Sequence, residues 1–224
     1  MAKSPATRMK VVSVLSQKGG SGKTTIALHL AVASELAGRP AALIDLDPQI
    51  SSASWAEHRA NVQHKQRPAV VSFQAARLSQ ALQTASEGGA ALSLIDTAPH
   101  SEQDSLAAAR AADLLLIPCR PAILDLRAIK FTIDLAALAR KPAVVVLNTI
   151  AAPRPNAQSS QADKAAAAIA AEYNVPVCPV RIVQRMDYVH ALAVGLTAQE
   201  YAPDGKAAQE IAALYRWLWN QLKK

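Results

Sequence analysis

Lys18-Gly19-Gly20-Ser21-Gly22-Lys23-Thr24-Thr25 (KGGSGKTT) lies between an apolar run at residues 11–15 and a helical pattern at residues 24–36. Glycines at this density let a backbone curl until successive N–H groups point at one anion. The helix that follows aims its positive end at the same place. Lys23 adds a cation for the β and γ phosphates, and the Thr24 hydroxyl adds an oxygen ligand for Mg2+. The usual phosphate loop, Gly-x-x-x-x-Gly-Lys-Thr, would need glycine at position 17. This chain has Gln17 there and a second lysine, Lys18, at the start of the loop. Since Lys23 already serves the phosphates, Lys18 is free to reach elsewhere.

Outward from the loop, short aliphatic runs alternate with helical patterns. Residues 11–15, 41–44, 92–95, 114–117 and 143–147 are near-continuous apolar stretches, and 69–73 is a weaker one. Such runs suit strands covered on both faces. Helical patterns occupy 24–36, 75–86, 101–112, 124–139, 161–173 and 205–222. Gly38 and Pro40 punctuate the end of the first helix, and residues 151–160 read as an exposed loop. The alternation predicts an α/β fold of the P-loop NTPase kind: a doubly wound, mostly parallel sheet flanked by helices, in a single domain over residues 1–224.

Composition narrows the classes. The chain has 224 residues, 51% hydrophobic, enough for a sizeable core. Its two cysteines, Cys119 and Cys178, are far apart and form no CxxC pair, which speaks against zinc or a cluster and for reduced thiols in the cytoplasm. The polar N-terminus MAKSPATRMK has no apolar stretch of signal-peptide length behind it, and no run is long enough for a spanning helix. The first strand begins near residue 11, so no DNA-binding domain is expected ahead of it. Net charge is +7. From Cys119 onward 13 Lys and Arg face 8 Asp and Glu, and before it 11 face 9. This basic excess permits attraction to nucleic acid or an anionic membrane without proving either.

Three carboxylates end apolar runs: Asp45 and Asp47 within DLDPQ, and Asp96 after residues 92–95. A carboxylate at the C-terminal end of a parallel strand faces the ligand crevice. Asp96 following a phosphate loop forms a Walker B pattern, which holds Mg2+.

The loop with its extra lysine, together with DLDPQ, resembles the ParA/MinD family of P-loop ATPases, and the resemblance runs from Val11 to about Leu218. It implies an ATPase that uses ATP and Mg2+ and forms a homodimer on ATP. It implies that Lys18 crosses the dimer interface to the partner's nucleotide and that Lys23 and Asp47 act in hydrolysis, Asp47 by orienting the attacking water. It places Thr24, Asp45 and Asp96 around the metal, and Asn148 and Pro179 at the adenine base. The stretch from Thr97 to about Ser105 resembles the family's second switch.

Among family members the resemblance is strongest to short ParA proteins of plasmid partition, with Trp55 and the AQEY sequence at 198–201 adding to it. Such proteins bind nucleoid DNA without sequence preference and are released by a ParB-type centromere-binding partner. Arg127, Lys130, Arg154, Arg181, Arg185 and Arg216 are the DNA-contact candidates. The rival is a MinD-like ATPase that binds the membrane surface through an amphipathic C-terminal helix. Ile211, Leu214, Tyr215, Leu218 and Leu222 lie on one helical face there, although docking of that face on the sheet is the simpler expectation. A cluster-bearing metabolic enzyme lacks the necessary cysteines. An ATP sensor without turnover would keep the loop alone.

Overall fold

The computed structural model describes residues 8–99, 101–152 and 160–224. Six strands form one sheet: β1 (Lys10–Val14), β2 (Ala41–Asp45), β3 (Ala69–Ser72), β4 (Leu92–Asp96), β5 (Leu114–Cys119) and β6 (Ala143–Leu147). Their order is β3-β2-β4-β1-β5-β6, and every pairing is parallel. The mostly parallel sheet expected from the apolar runs is therefore wholly parallel among the described residues. The weak run at 69–73 is the edge strand β3, and its residues are largely exposed.

Helices α1 (Lys23–Leu36), α2 (Ser51–Gln63), α3 (Leu78–Glu87), α4 (Glu102–Ala111), α5 (Ile123–Ala139), α6 (Gln161–Tyr173), α7 (Met186–Ala193), α8 (Ala198–Tyr201) and α9 (Lys206–Leu222) cover the sheet. Successive strand residues point to opposite faces. Val12, Val14, Leu43 and Leu94 pack with α1, α2, α7, α8 and α9. Val11, Ile44, Ile95 and Leu115 pack with α3, α4 and α5. Ile117, Val145 and Leu147 join α5 and α6 in a third cluster. This is a doubly wound arrangement, and it explains why the strands read as unbroken apolar runs.

The helix expected over 75–86 divides into a 3-10 turn, Ala75–Arg77, and α3. Gly38 follows the C-cap Ala37 with φ 70°, and the N–H groups of Gly38 and Arg39 return to the carbonyls of Glu35 and Ser34 at 2.9 Å. That closes the helix with a Schellman motif. Of the loop expected at 151–160, residues 153–159 lie outside the described residues.

The apolar stripe of α9 is core. Ile211, Leu214, Tyr215, Leu218 and Leu222 are all buried in the cluster that holds α1 to the sheet. The Tyr215 hydroxyl donates to Ser34 Oγ at 3.2 Å, and the Arg39 guanidinium lies 4.7 Å from the Trp219 ring centroid. The last helix is built into the domain. No helix among the described residues is long and apolar enough to cross a membrane.

Candidate nucleotide site

In the sheet order, β1 has β4 on one side and β5 on the other, while β2 and β6 lie beyond them. The chain thus reverses its direction of winding at β1, and a crevice opens there at the strands' carboxyl ends. The loop from β1 to α1 fills it. Gly20 and Gly22 take φ of 70° and 93°. Gly22 is the N-cap of α1, and no side chain caps that helix. The first-turn N–H groups of α1 have no intrahelical partner, so they are left to meet an anion. A Cβ on Gly22 would lie 2.2 Å from Asn148 Nδ2, so both conformation and space require glycine there.

Lys23 is buried beneath the loop. Burial lowers its pKa, and the carboxylates of Asp96 and Asp47 pull it back up. Asp96 is fully buried at the end of β4. Burial raises its pKa to about 6 against the opposing hydroxyls of Thr24 and Ser52. Its Oδ2 accepts from Ser52 Oγ at 2.9 Å. Its Oδ1 is buried with no hydrogen-bond partner among the described residues. A buried carboxylate oxygen with nothing to accept, near a threonine hydroxyl and a phosphate loop, fits a magnesium site that draws few ligands from protein and the rest from phosphate and water.

Asp45, expected near the metal's shell, lies close enough to Asp96 to act on its charge, and both of its oxygens accept backbone N–H groups. Its Oδ1 accepts from the Asp47 N–H at 3.0 Å, and its Oδ2 accepts from the N–H groups of Ser52 at 2.9 Å and Ala53 at 3.2 Å. It caps α2 from the end of β2, because the residue at the helix boundary, Ile50, has no side chain able to do so. Burial raises the Asp45 pKa against these three N–H bonds. Asp47 is half-buried, and its Oδ1 accepts from the Gln49 N–H at 2.9 Å. It lines a cleft of about 690 Å³ with Leu46, Pro48, Phe73, Gln103 and Asp104.

Asn148 is held against the loop itself. Its Nδ2 donates to the Ser21 carbonyl at 2.8 Å, and the side chain is buried. Asn148 thus braces β6 against the loop with one of its two amide N–H groups, and its second N–H and its Oδ1 make no other bond among the described residues, so the expected base contact keeps both. Pro179 is exposed just past the point where Val177 bridges to Val145 of β6.

Lys18 Nζ lies 2.6 Å from Asp125 Oδ2 in the first turn of α5 of the same chain, with side chains 38% and 9% exposed. Of the DNA-contact candidates, Arg127 and Arg216 are exposed. Lys130 pairs with Asp134, Arg181 with Asp163 and Arg185 with Glu210. Arg154 lies outside the described residues. Among the five described candidates, three are already matched by carboxylates.

Ser52, Asp125 and Arg120 were not singled out from the sequence. Arg120 follows β5 directly, and its Nη2 donates to the Gly20 carbonyl. The available signal was its place at the end of a strand neighbouring β1, but strand order is not written in a single sequence. Cys119 and Cys178 are buried free thiols, and burial pushes both up to about 12, so neither is a nucleophile.

A curled loop, an uncapped helix start, a buried lysine and a strand-end carboxylate with an idle oxygen together define a P-loop nucleotide-binding protein. The chain belongs to the CobQ/CobB/MinD/ParA nucleotide binding domain family, which it matches over residues 12–197, and it is a ParA/MinD-type ATPase. It is 33% identical over 221 residues to the maintenance of carboxysome distribution protein A of Gloeobacter kilaueensis, covering 96% of this chain and 94% of that one. Its fold is like that of an ATP complex of Cyanothece McdA, with TM-score 0.73 and 18% identity over 95% of this chain and 97% of that one. A putative plasmid partition protein of Borrelia burgdorferi bound to AMPPNP has TM-score 0.68 and 15% identity, covering 96% of this chain and all of the other.

Proposed function

We propose that the chain is one ATPase domain of the ParA type that dimerises on ATP, binds DNA without sequence preference, and partitions a plasmid or chromosome with a ParB-type partner. The observation that carries this reading is Lys18, a loop lysine with no task at its own loop, held half-exposed by Asp125. Likeness over nearly the whole length to a protein named for the maintenance of carboxysome distribution supports a positioning role. The proposed cargo is nucleic acid because net charge is +7 and the fold matches a putative plasmid partition protein.

In this reading the N–H groups of residues 19–25 and Lys23 hold the phosphates of ATP. The Thr24 hydroxyl and Asp96 would hold Mg2+, which would supply charge to neutralise the phosphates. Asp47 orients water at the open side of the site, next to the cleft it lines. Asp45 fixes α2, and with it the loop that carries Asp47. Lys18 supplies a second ammonium from the opposite chain. Hydrolysis then needs no covalent intermediate, since positioning and charge neutralisation suffice.

The test is binding to random-sequence DNA with ATP, with ADP and without nucleotide, for wild type and Lys18→Ala. ATP-dependent binding that weakens steeply with salt and is lost in Lys18→Ala supports the reading. Binding that ignores nucleotide or salt sinks it. Sedimentation with anionic liposomes in place of DNA tests the membrane-surface alternative. The α9 stripe that suggested that alternative is packed in the core.

A further inference from the structure

We propose that Arg120 belongs to the nucleotide site and donates, in cis, to the phosphate chain of the nucleotide held by its own loop. This rests on the nucleotide reading above and adds to it a residue from a different strand. Backbone hydrogen bonds hold β5 against β1 at one side and against the end of β6 at the other: Leu15 N–H to the Leu116 carbonyl at 3.0 Å, and Asn148 N–H to the Cys119 carbonyl at 2.8 Å. Arg120 therefore leaves the sheet between the start of the phosphate loop and the asparagine that braces it.

The guanidinium lies on the loop. Its Nη2 donates to the Gly20 carbonyl, and a Cβ on Gly20 would come within 3.2 Å of that nitrogen. A guanidinium has five N–H donors in a rigid fork. Its Nε–H is buried and has no partner. No carboxylate lies within ion-pair distance of Arg120 among the described residues, and what sets it apart from other unpaired arginines is its place on the phosphate loop with a buried, unpartnered Nε–H. A buried, unspent donor on an unneutralised cation is costly to keep. Its position makes sense when the missing acceptor comes from outside the chain and is anionic. At this place in the fold that acceptor is a phosphate oxygen, which arginine's fork suits. With Lys23 below the loop and Lys18 at its start, Arg120 makes a third cation around one glycine turn.

The experiment measures equilibrium binding of fluorescent ATP and ADP analogues, at two salt concentrations, to wild type, Arg120→Ala, Arg120→Gln and Arg120→Lys, with Lys23→Ala beside them. Glutamine can still donate to the Gly20 carbonyl but carries no charge, and lysine keeps the charge without the fork. We expect about a 10- to 100-fold loss for Ala and Gln, the worth of a charged hydrogen bond. Partial recovery with Lys and a shallower salt dependence in Gln are also expected. Wild-type affinity in Arg120→Gln overturns the proposal, because the arginine would then only hold the loop through Gly20. Should Arg120→Ala melt at a lower temperature, the Gln and Lys variants carry the decision. No nucleotide binding by wild type itself overturns the nucleotide reading and this inference together. Loss in Lys23→Ala with none in the Arg120 variants overturns this inference alone.

Discussion

Replacing Asp125 with asparagine should tighten the ATP-dependent dimer. In the single chain, Lys18 is tied to Asp125 at 2.6 Å, with the lysine 38% and the aspartate 9% exposed. For Lys18 to reach a facing nucleotide, that pair must break. Fully exposed pairs contribute about 0–1 kcal/mol, and breaking fully buried ones costs about 3–5 kcal/mol. The lysine end is open to solvent, so screening keeps this pair near the lower range, about 1 kcal/mol. A symmetric dimer breaks two such pairs, for about 2 kcal/mol, which corresponds to a dimer constant shifted about 30-fold. Asparagine keeps the shape at position 125 and removes the charge that holds the lysine back. Sedimentation equilibrium over a range of protein concentrations, with a non-hydrolysable ATP analogue, measures the shift. With ADP both proteins should stay monomeric. A dimer constant unchanged or weaker in Asp125→Asn would refute the idea that Lys18 must leave Asp125 to act.

Three further outcomes are expected. Gly22→Ala should weaken nucleotide binding at least tenfold. The left-handed backbone costs an alanine about 1–2 kcal/mol, and its Cβ would meet Asn148 Nδ2 at 2.2 Å. Adding Asn148→Ala clears the space but not the backbone strain, so titration of the double variant should show only partial recovery. His29 is fully buried, with Nδ1 on the Thr25 carbonyl and Nε2 accepting from the Ala198 N–H. Burial lowers its pKa to about 4 against the pull of the Thr25 carbonyl and Glu200. The unfolded chain thus takes up this proton first as pH falls. The His29 contribution is complete above about pH 6.5, is lost between there and pH 4, and amounts to about 3 kcal/mol. Urea unfolding of wild type against His29→Gln across that range should show a steeper pH dependence in wild type. Arg59→Ala should be strongly destabilising. It strips Glu200 of two bonds, at 2.8 and 2.7 Å, in a pair whose side chains are 5% and 8% exposed, and leaves it only the half-exposed Lys65 as a cation partner at 2.8 Å. Breaking a buried pair costs about 3–5 kcal/mol, or roughly 6–20 °C in melting temperature at this chain length. A drop under 2 °C by calorimetry would count against that estimate.

The legible parts of the chain were those whose signal is local. β6 runs over the residues its apolar stretch marked, and α6 begins at Gln161 behind a reciprocal cap between Ser160 and Asp163. By contrast, α2 left no trace. Its buried face is Ser52, Trp55 and Arg59, which breaks any apolar stripe. Its cap is Asp45, several residues back on a strand. The 8-residue α7 and 4-residue α8 are too short to show a period. In the site the same division holds. The loop, Lys23 and Asp96 stood out because their chemistry is written in consecutive residues. Asp125 and Arg120 act from 107 and 100 positions away, across strand neighbours that only the folded sheet establishes. The charge count raised Arg181 and Arg185 as DNA contacts, yet a count cannot see Asp163 and Glu210 folding back onto them.

A serine hydroxyl has a single hydrogen to give, and Ser52 gives its own to Asp96 while its amide goes to Asp45. The first turn of α2 is thereby fastened to the ends of two adjacent strands at once. A slide of that turn by an ångström would cost Asp96 the Ser52 donor, one of two hydroxyls that favour its charged form, and its carboxyl would hold a proton more readily. A single hydrogen atom thus ties the second helix to the strand-end carboxylate that faces the crevice.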